Sequence, residues 1–278
     1  MTLRIIGSSS AGNAYLLDGE NESLLIECGV PFGKVEKAVN FAFSKVKGVI
    51  VSHEHGDHAK GIGKCQERRI PVYASKGTLD AIGATGDCHV MEHHKMMRIG
   101  GFGVIPFKVV HDANEPFGFL INHAEMGTMV FATDTAYLPS KFAGLNHMMI
   151  ECNYSTSILD ENMKRGAILP MVRDRIVKSH MSLDTCLETL AANDLSQVRN
   201  IILIHLSDGN SNAAMFREIV ERNTGIITTI AEPGVNVELN INPSFLFYEN
   251  IINHFLHSCG YRNNYPVLAV IQHSRKIP

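Results

Sequence analysis

Four short apolar runs in this chain each stop at a residue able to bind a metal ion. The runs 49–51, 104–110, 129–133 and 201–204 are rich in β-branched and large apolar residues, and His53, His111, Asp134 and His205 follow them. Runs of this length and composition read as buried strands. One histidine or aspartate just past a strand is usually a turn residue or cap, but four such endings in one chain are hard to treat as independent accidents. The densest ending is His53-Glu54-His55-Gly56-Asp57-His58, with three histidines and two carboxylates in six residues. These side chains are expected to fan out from one tight loop, with Gly56 permitting the turn. Imidazole and carboxylate suit a borderline or hard divalent cation, and no thiolate is among them. His53 and His55, two positions apart, can converge on one ion, while Asp57 and His58 face the other side of the loop toward a second.

Around these runs the chain reads as alternating strands and helices. A strand over 3–6 leads into Gly7-Ser8-Ser9-Ser10-Ala11-Gly12-Asn13, which is either an anion cradle of hydroxyls and backbone N–H groups or a plain connection. A hairpin over 14–17 and 23–27 comes next, then an amphipathic helix within 29–44 carrying Val35, Ala38, Val39 and Ala42. A strand over 70–74 precedes a helix capped by Ser75 and stopped at Gly83. His89, His93 and His94 have irregular spacing and read as a solvated turn. Ser182 reads as the N-cap of a helix with Leu183, Leu187, Leu190 and Ala191 on one face. Beyond 239 the character changes. A helix over 245–259 is expected to pack on the body or on a second subunit, which would make a homodimer, and a strand-like run covers 266–271. The expected division is one domain over 1–239 and a C-terminal helical extension over 240–278.

Charge and cysteine usage limit the partners. A formal net charge of −3 provides no global field to draw the chain to nucleic acid, so any such contact needs a local patch. One candidate patch exists: Lys164, Arg165, Arg173, Arg175 and Lys178, offset only by Asp174. It is either a solvated face or a phosphate-binding one. No aromatics are interleaved with it, so base stacking has no support there. The six cysteines are scattered without CxxC spacing, as reduced thiols would be, and no apolar run reaches the length of a membrane span. The expected location is the cytoplasm, away from membranes.

The His53–His58 motif followed by a separate His, Asp and His resembles the metallo-β-lactamase superfamily. Leu25-Ile26-Glu27-Cys28-Gly29, His111-Asp112-Ala113-Asn114-Glu115-Pro116, Phe131-Ala132-Thr133-Asp134-Thr135, Glu151-Cys152-Asn153 and Ser179-His180-Met181-Ser182-Leu183 narrow the likeness. Together with the serine-rich loop they are similar to the YycJ/WalJ-like branch, related to RNase Z-type phosphodiesterases. The resemblance implies an α/β fold, an αββα sandwich of two mixed sheets with a dinuclear site at the edge between them. It implies two divalent ions, zinc or manganese: His53, His55 and His111 on one, Asp57, His58 and His205 on the other, Asp134 bridging. It also implies that Asp57 and His180 serve catalysis, with Asp112, Glu151 and Asn153 behind them. Ser182, Arg173, Arg175 and Lys178 are expected to face substrate. The implied reaction is hydrolysis of a phosphodiester in DNA or RNA by a water activated between the ions. Two readings stand beside it: hydrolysis of a small thioester or lactone, as in glyoxalase II-like relatives, and a non-catalytic metal-binding module. Asp134 and His180 lie too close in sequence for an inserted β-CASP domain, and His111 and Asp134 too close for a tRNA-binding arm.

Overall fold

Along the apolar runs, successive side chains are buried on opposite faces, which is why they show no polar alternation. Ile202 and Ile204 pack into one core cluster, while Ile201 and Leu203 between them pack into another. A strand covered on both sides needs layers above and below it, and the architecture supplies them. The computed structural model describes residues 1–241 and 272–273.

The first sheet contains β1 (Thr2–Gly7), β2 (Ala14–Asp18), β3 (Ser23–Ile26), β4 (Val46–Ile50), β5 (Val72–Ser75) and β6 (Cys88–Met91). They lie side by side in that order. The second contains β7 (Met97–Ile99), β8 (Phe102–Lys108), β9 (Phe117–His123) and β10 (Gly127–Ala132). Separately, β11 (Ser140–Lys141) pairs with a strand at Gln272–His273. Then β12 (His147–Glu151), β13 (Asn200–Ile204) and β14 (Ile227–Ile230) continue the second sheet, and β15 (Asn236–Glu238) returns to the first, beside β1. The strand at Gln272–His273 is β16. Both sheets are mixed: β3 to β6 pair in parallel, as do β10, β12, β13 and β14, and the remaining pairs within the sheets are antiparallel.

Leu3, Leu24 and Ile50 of the first sheet share a core cluster with Phe119, Phe131 and Ile202 of the second, so the sheets pack face to face. Helices α1 (Phe32–Ala38), α2 (Gly56–Ala59), α3 (Ile62–Glu67) and α4 (Lys76–Ala81) follow in the first half, and α1, α3 and α4 bury Val35, Ile62, Cys65 and Leu79 against the outer face of the first sheet. In the second half come α5 (Thr156–Lys164), α6 (Pro170–Ser179), α7 (Leu183–Ala191) and α8 (Ala213–Thr224), of which α7 and α8 cover the second sheet. This is the expected αββα sandwich.

Some local expectations need correction. The helix within 29–44 spans only Phe32–Ala38, because Asn40 and Phe41 take left-handed backbone angles and a separate turn of 3-10 helix follows at Phe43–Lys45. The His53–His58 segment is not one loop: His55 directly precedes α2, which carries Asp57 and His58, and Gly56 has no positive φ. His89 lies on β6, paired opposite Tyr73 of β5, rather than in a turn. The expected helix over 245–259 and strand over 266–271 lie outside the described residues.

Candidate metal centre

The parallel strands β10 and β13 point the same way, and β8 joins them in direction, since β8 and β10 are each antiparallel to β9. Their carboxyl ends carry His111, Asp134 and His205 to one edge of the sandwich, where the β4–α2 connection of the other sheet brings His53, His55, Asp57 and His58. Ligand sites beyond the carboxyl ends of parallel strands are a general property of α/β sheets. Two ligand groups result, each with its donor atoms within 4.8 Å of one another: His53, His55, His111 and Asp134; and Asp57, His58, Asp134 and His205. Asp134 belongs to both. Its Oδ2 lies 3.7 Å from His53 Nε2, 3.5 Å from His111 Nε2 and 3.4 Å from His58 Nε2.

The arrangement of ring nitrogens fits bound cations. His55 Nδ1 sits 3.0 Å from His53 Nε2 and 3.2 Å from His111 Nε2, so three imidazole edges face one point. His111 Nδ1 donates to the Ser179 carbonyl at 3.0 Å, which fixes the tautomer and leaves Nε2 a free lone pair. In the second group His205 Nε2 is buried with no hydrogen-bond partner among the described residues, 3.6 Å from Asp57 Oδ2. Converging lone pairs beside buried carboxylates are what a divalent ion requires. Electrostatics agree. Burial pushes the His205 pKa down, yet Asp134, Asp57 and Glu151 outweigh it and bring it up to about 10. His58 rises in the same way, against burial, under Asp134 and Glu27. Burial also opposes the Asp134 charge, but His205 and His58 hold its carboxyl well below the usual range. The pocket of carboxylates calls for positive charge, while burial pushes the His53 and His111 pKa values down, toward the neutral form that ligates.

Several supporting residues carry no signal of their own in the sequence. Glu27 is fully buried at φ 61°, accepts from the Ser52 backbone N–H and stands 3.5 Å from His58 Nδ1. Asn13 is also fully buried, with Nδ2 3.1 Å from His58 Nε2. Gly29 lies against the α2 backbone: a Cβ there would meet the Asp57 carbonyl oxygen at 1.6 Å. In the sequence these positions fall within the serine-rich loop, the hairpin and the following helix stretch, and the motif resemblance includes them, but nothing there gives them these contacts.

Glu151 organises the other wall. Its carboxylate accepts from the backbone N–H groups of Thr135 and Met181, at 2.9 and 3.0 Å, and from Nδ1 of His180 and of His205, at 2.7 and 3.2 Å. With four donors on two oxygens it is a scaffold, although it stands in a third cluster with Asp134, His180 and His205. The His180 ring stacks on His205 at 5.4 Å and lines the cavity of about 280 Å³ over the centre, as do Asp57 and Arg175. Arg175 lies 3.6 Å from Asp112 and is 72% exposed, and Lys178 is exposed one turn along α6. Three of the expected substrate contacts do not line the cavity, Lys178 among them. Arg173 Nε donates to Asp160 at 2.8 Å, bracing α6 on α5, and does not line the cavity. The Ser182 hydroxyl accepts from Thr185 N at 3.1 Å as the N-cap of α7, which takes it out of the cavity lining.

An αββα sandwich with a shared-aspartate histidine cluster at the sheet edge defines a class, and the sequence comparison agrees: residues 24–206 match the beta-lactamase superfamily domain, and the chain belongs to that superfamily. Within it, the chain is 27% identical over 235 residues to exodeoxyribonuclease YycJ of Bacillus anthracis, covering 78% of this chain and 87% of the relative. It is 24% identical over 245 residues to exodeoxyribonuclease WalJ of Streptococcus pneumoniae serotype 2 (strain D39 / NCTC 7466), covering 80% and 89%. Among solved structures, the metallo-β-lactamase fold protein YhfI from Bacillus subtilis superposes with a TM-score of 0.64 at 17% identity, covering 85% of this chain and 98% of that one.

Proposed function

We propose that this chain is a metal-dependent phosphodiesterase that cleaves nucleic acid. The observation that carries the reading is the shared carboxylate of Asp134, which joins two ligand groups under one cavity that His180 and Arg175 also line. Two divalent ions, zinc or manganese, held by these ligands would supply an activated water and positive charge for the phosphoryl oxygens. The remaining work falls to the chain's own groups. Burial lowers the His180 pKa, but the Glu151 carboxylate at 2.7 Å outweighs it and raises it, which suits His180 to protonate a leaving oxygen. Glu151 holds the ring by Nδ1, which leaves Nε2 as the nitrogen available to a substrate in the cavity that His180 lines. Arg175 in the cavity lining, and exposed Lys178 one turn along α6, would meet the phosphates that flank the scissile one. The names of the relatives, both exodeoxyribonucleases, favour DNA as the substrate. The five cysteines among the described residues are free, which supports a reducing compartment such as the cytoplasm.

The test is turnover by protein loaded with zinc or manganese, with bound metal measured by elemental analysis. Two ions per chain, with cleavage of bis-p-nitrophenyl phosphate and of a labelled DNA oligonucleotide, is the expected result. Cleavage of a thioester in place of both phosphodiesters would assign the centre to small-ester hydrolysis. Full metal occupancy without turnover of any of them would make it a non-catalytic metal-binding module.

A further inference from the structure

The cavity over the metal ligands is not the larger one at this edge. Behind the serine-rich loop lies a second cavity of about 480 Å³, a size that suits a small organic ligand. The loop is a shared wall: Ser10 lines the metal cavity, while Ser8, Ser9 and Ala11 line the larger one. Ser8 Oγ also accepts from the His205 backbone N–H at 2.9 Å, and Leu206 and Ser207, next in the chain, line the larger cavity. The cavity therefore abuts the half of the centre formed by Asp57, His58 and His205. The basic helix α6 abuts the opposite half, since its Ser179 carbonyl holds His111. A phosphodiester lying across Asp134 would send one substituent over α6 and the other toward this cavity.

The lining distinguishes between occupants. Val30, Pro31, Leu206 and Pro233 offer apolar faces, and Ser9, Ser207 and Ser211 offer hydroxyls. Lys34 is the one cation among the described residues of the lining, against the carboxylates of Asp208 and Glu232. That balance is net negative and disfavours a phosphate. A nucleobase suits it: two flat apolar faces, and edge N–H groups that carboxylates and hydroxyls can accept. We propose that this cavity is a nucleoside subsite, taking the base and sugar on one side of the scissile phosphate. The proposal rests on the phosphodiesterase reading for the placement of that phosphate.

The experiment is calorimetric titration of the metal-loaded full chain with inorganic phosphate and with the two positional isomers of deoxyadenosine monophosphate. Phosphate reads the metal centre alone, and the nucleotide reads the centre and the cavity together. The tighter isomer is expected to bind at least about tenfold more strongly than phosphate. Ala213→Phe places a ring into the cavity from the start of α8, and Ser211→Phe does so independently. Each should abolish the nucleotide's advantage and leave phosphate affinity unchanged. A nucleotide that binds no better than phosphate to the unaltered protein would overturn the proposal. So would an advantage that survives in whichever of the two variants folds. Failure of the phosphodiesterase reading looks different: the oligonucleotide stays uncleaved while the nucleotide's advantage over phosphate persists.

Discussion

Asp134 and His205 hold left-handed backbone angles, φ 45° and 55°, in the turns directly after their strands. Such conformations cost free energy in non-glycine residues and persist where the surroundings over-determine them. At His205 the surroundings are Ser8 Oγ, which accepts from its N–H, and Asn153 Nδ2, which donates to its carbonyl oxygen. Asp134→Ala removes the one carboxylate the two groups share, so metal content should fall and turnover disappear. The fold should survive, because Asp134 is no part of the apolar clusters; a circular dichroism spectrum alongside elemental analysis checks both. His180 should separate from the ligands: His180→Ala is expected to lower kcat by about 10²–10⁴-fold, the range of a lost general acid, with both ions retained. The ligands were legible in the sequence because four of them end apolar runs and His55, Asp57 and His58 crowd in behind the first of these. Glu27, Asn13 and Gly29 were not, since their roles come from contacts between distant segments. Gly29 is there because the Asp57 carbonyl oxygen leaves no room for a Cβ, and nothing beside Gly29 in the chain announces that neighbour.

Helix α6 lies along the rim of the metal cavity with Met171 and Val172 exposed and Arg175 aimed across to Asp112. Replacing Arg175 and Lys178 together by Ala should weaken binding of long oligonucleotides and flatten its salt dependence, while turnover of bis-p-nitrophenyl phosphate stays the same. Filter binding over a salt series reads the first effect and a colorimetric assay the second. The next helix gives a contrasting test. Ser182 caps α7, so Ser182→Ala should cost about 1 kcal/mol of stability in denaturant titration and leave KM unchanged. Capping was legible at this scale: Ser75 and Ser182 each accept from the backbone N–H three residues on, as their positions before apolar periodic stretches imply. The early end of α1 was not, because 29–44 keeps helical spacing throughout. The stacking of Phe32 on Phe43, rings 6.3 Å apart, folds the chain back over the break at Asn40 and Phe41.

At the scale of the molecule, the layering followed from runs that are apolar on both faces, and the sheet order did not. Pairing of β1 with β15, and of β12 with β13, joins segments remote in sequence, and no local pattern encodes a partner at that distance. The same remoteness divides the metal ligands, since His53, His55, Asp57 and His58 come from one sheet while His111, Asp134 and His205 come from the other. Neither sheet alone can offer a complete donor set, so the centre exists only once the two have docked. For the folding reaction this means that an ion finds its full coordination on the native side of the main barrier. Zinc loading should then slow unfolding in a stopped-flow denaturant jump and leave the refolding rate almost unaltered. Faster refolding with metal would show instead that the donor set assembles before the sheets close. The ions would act on this protein as a latch, set after the door has shut.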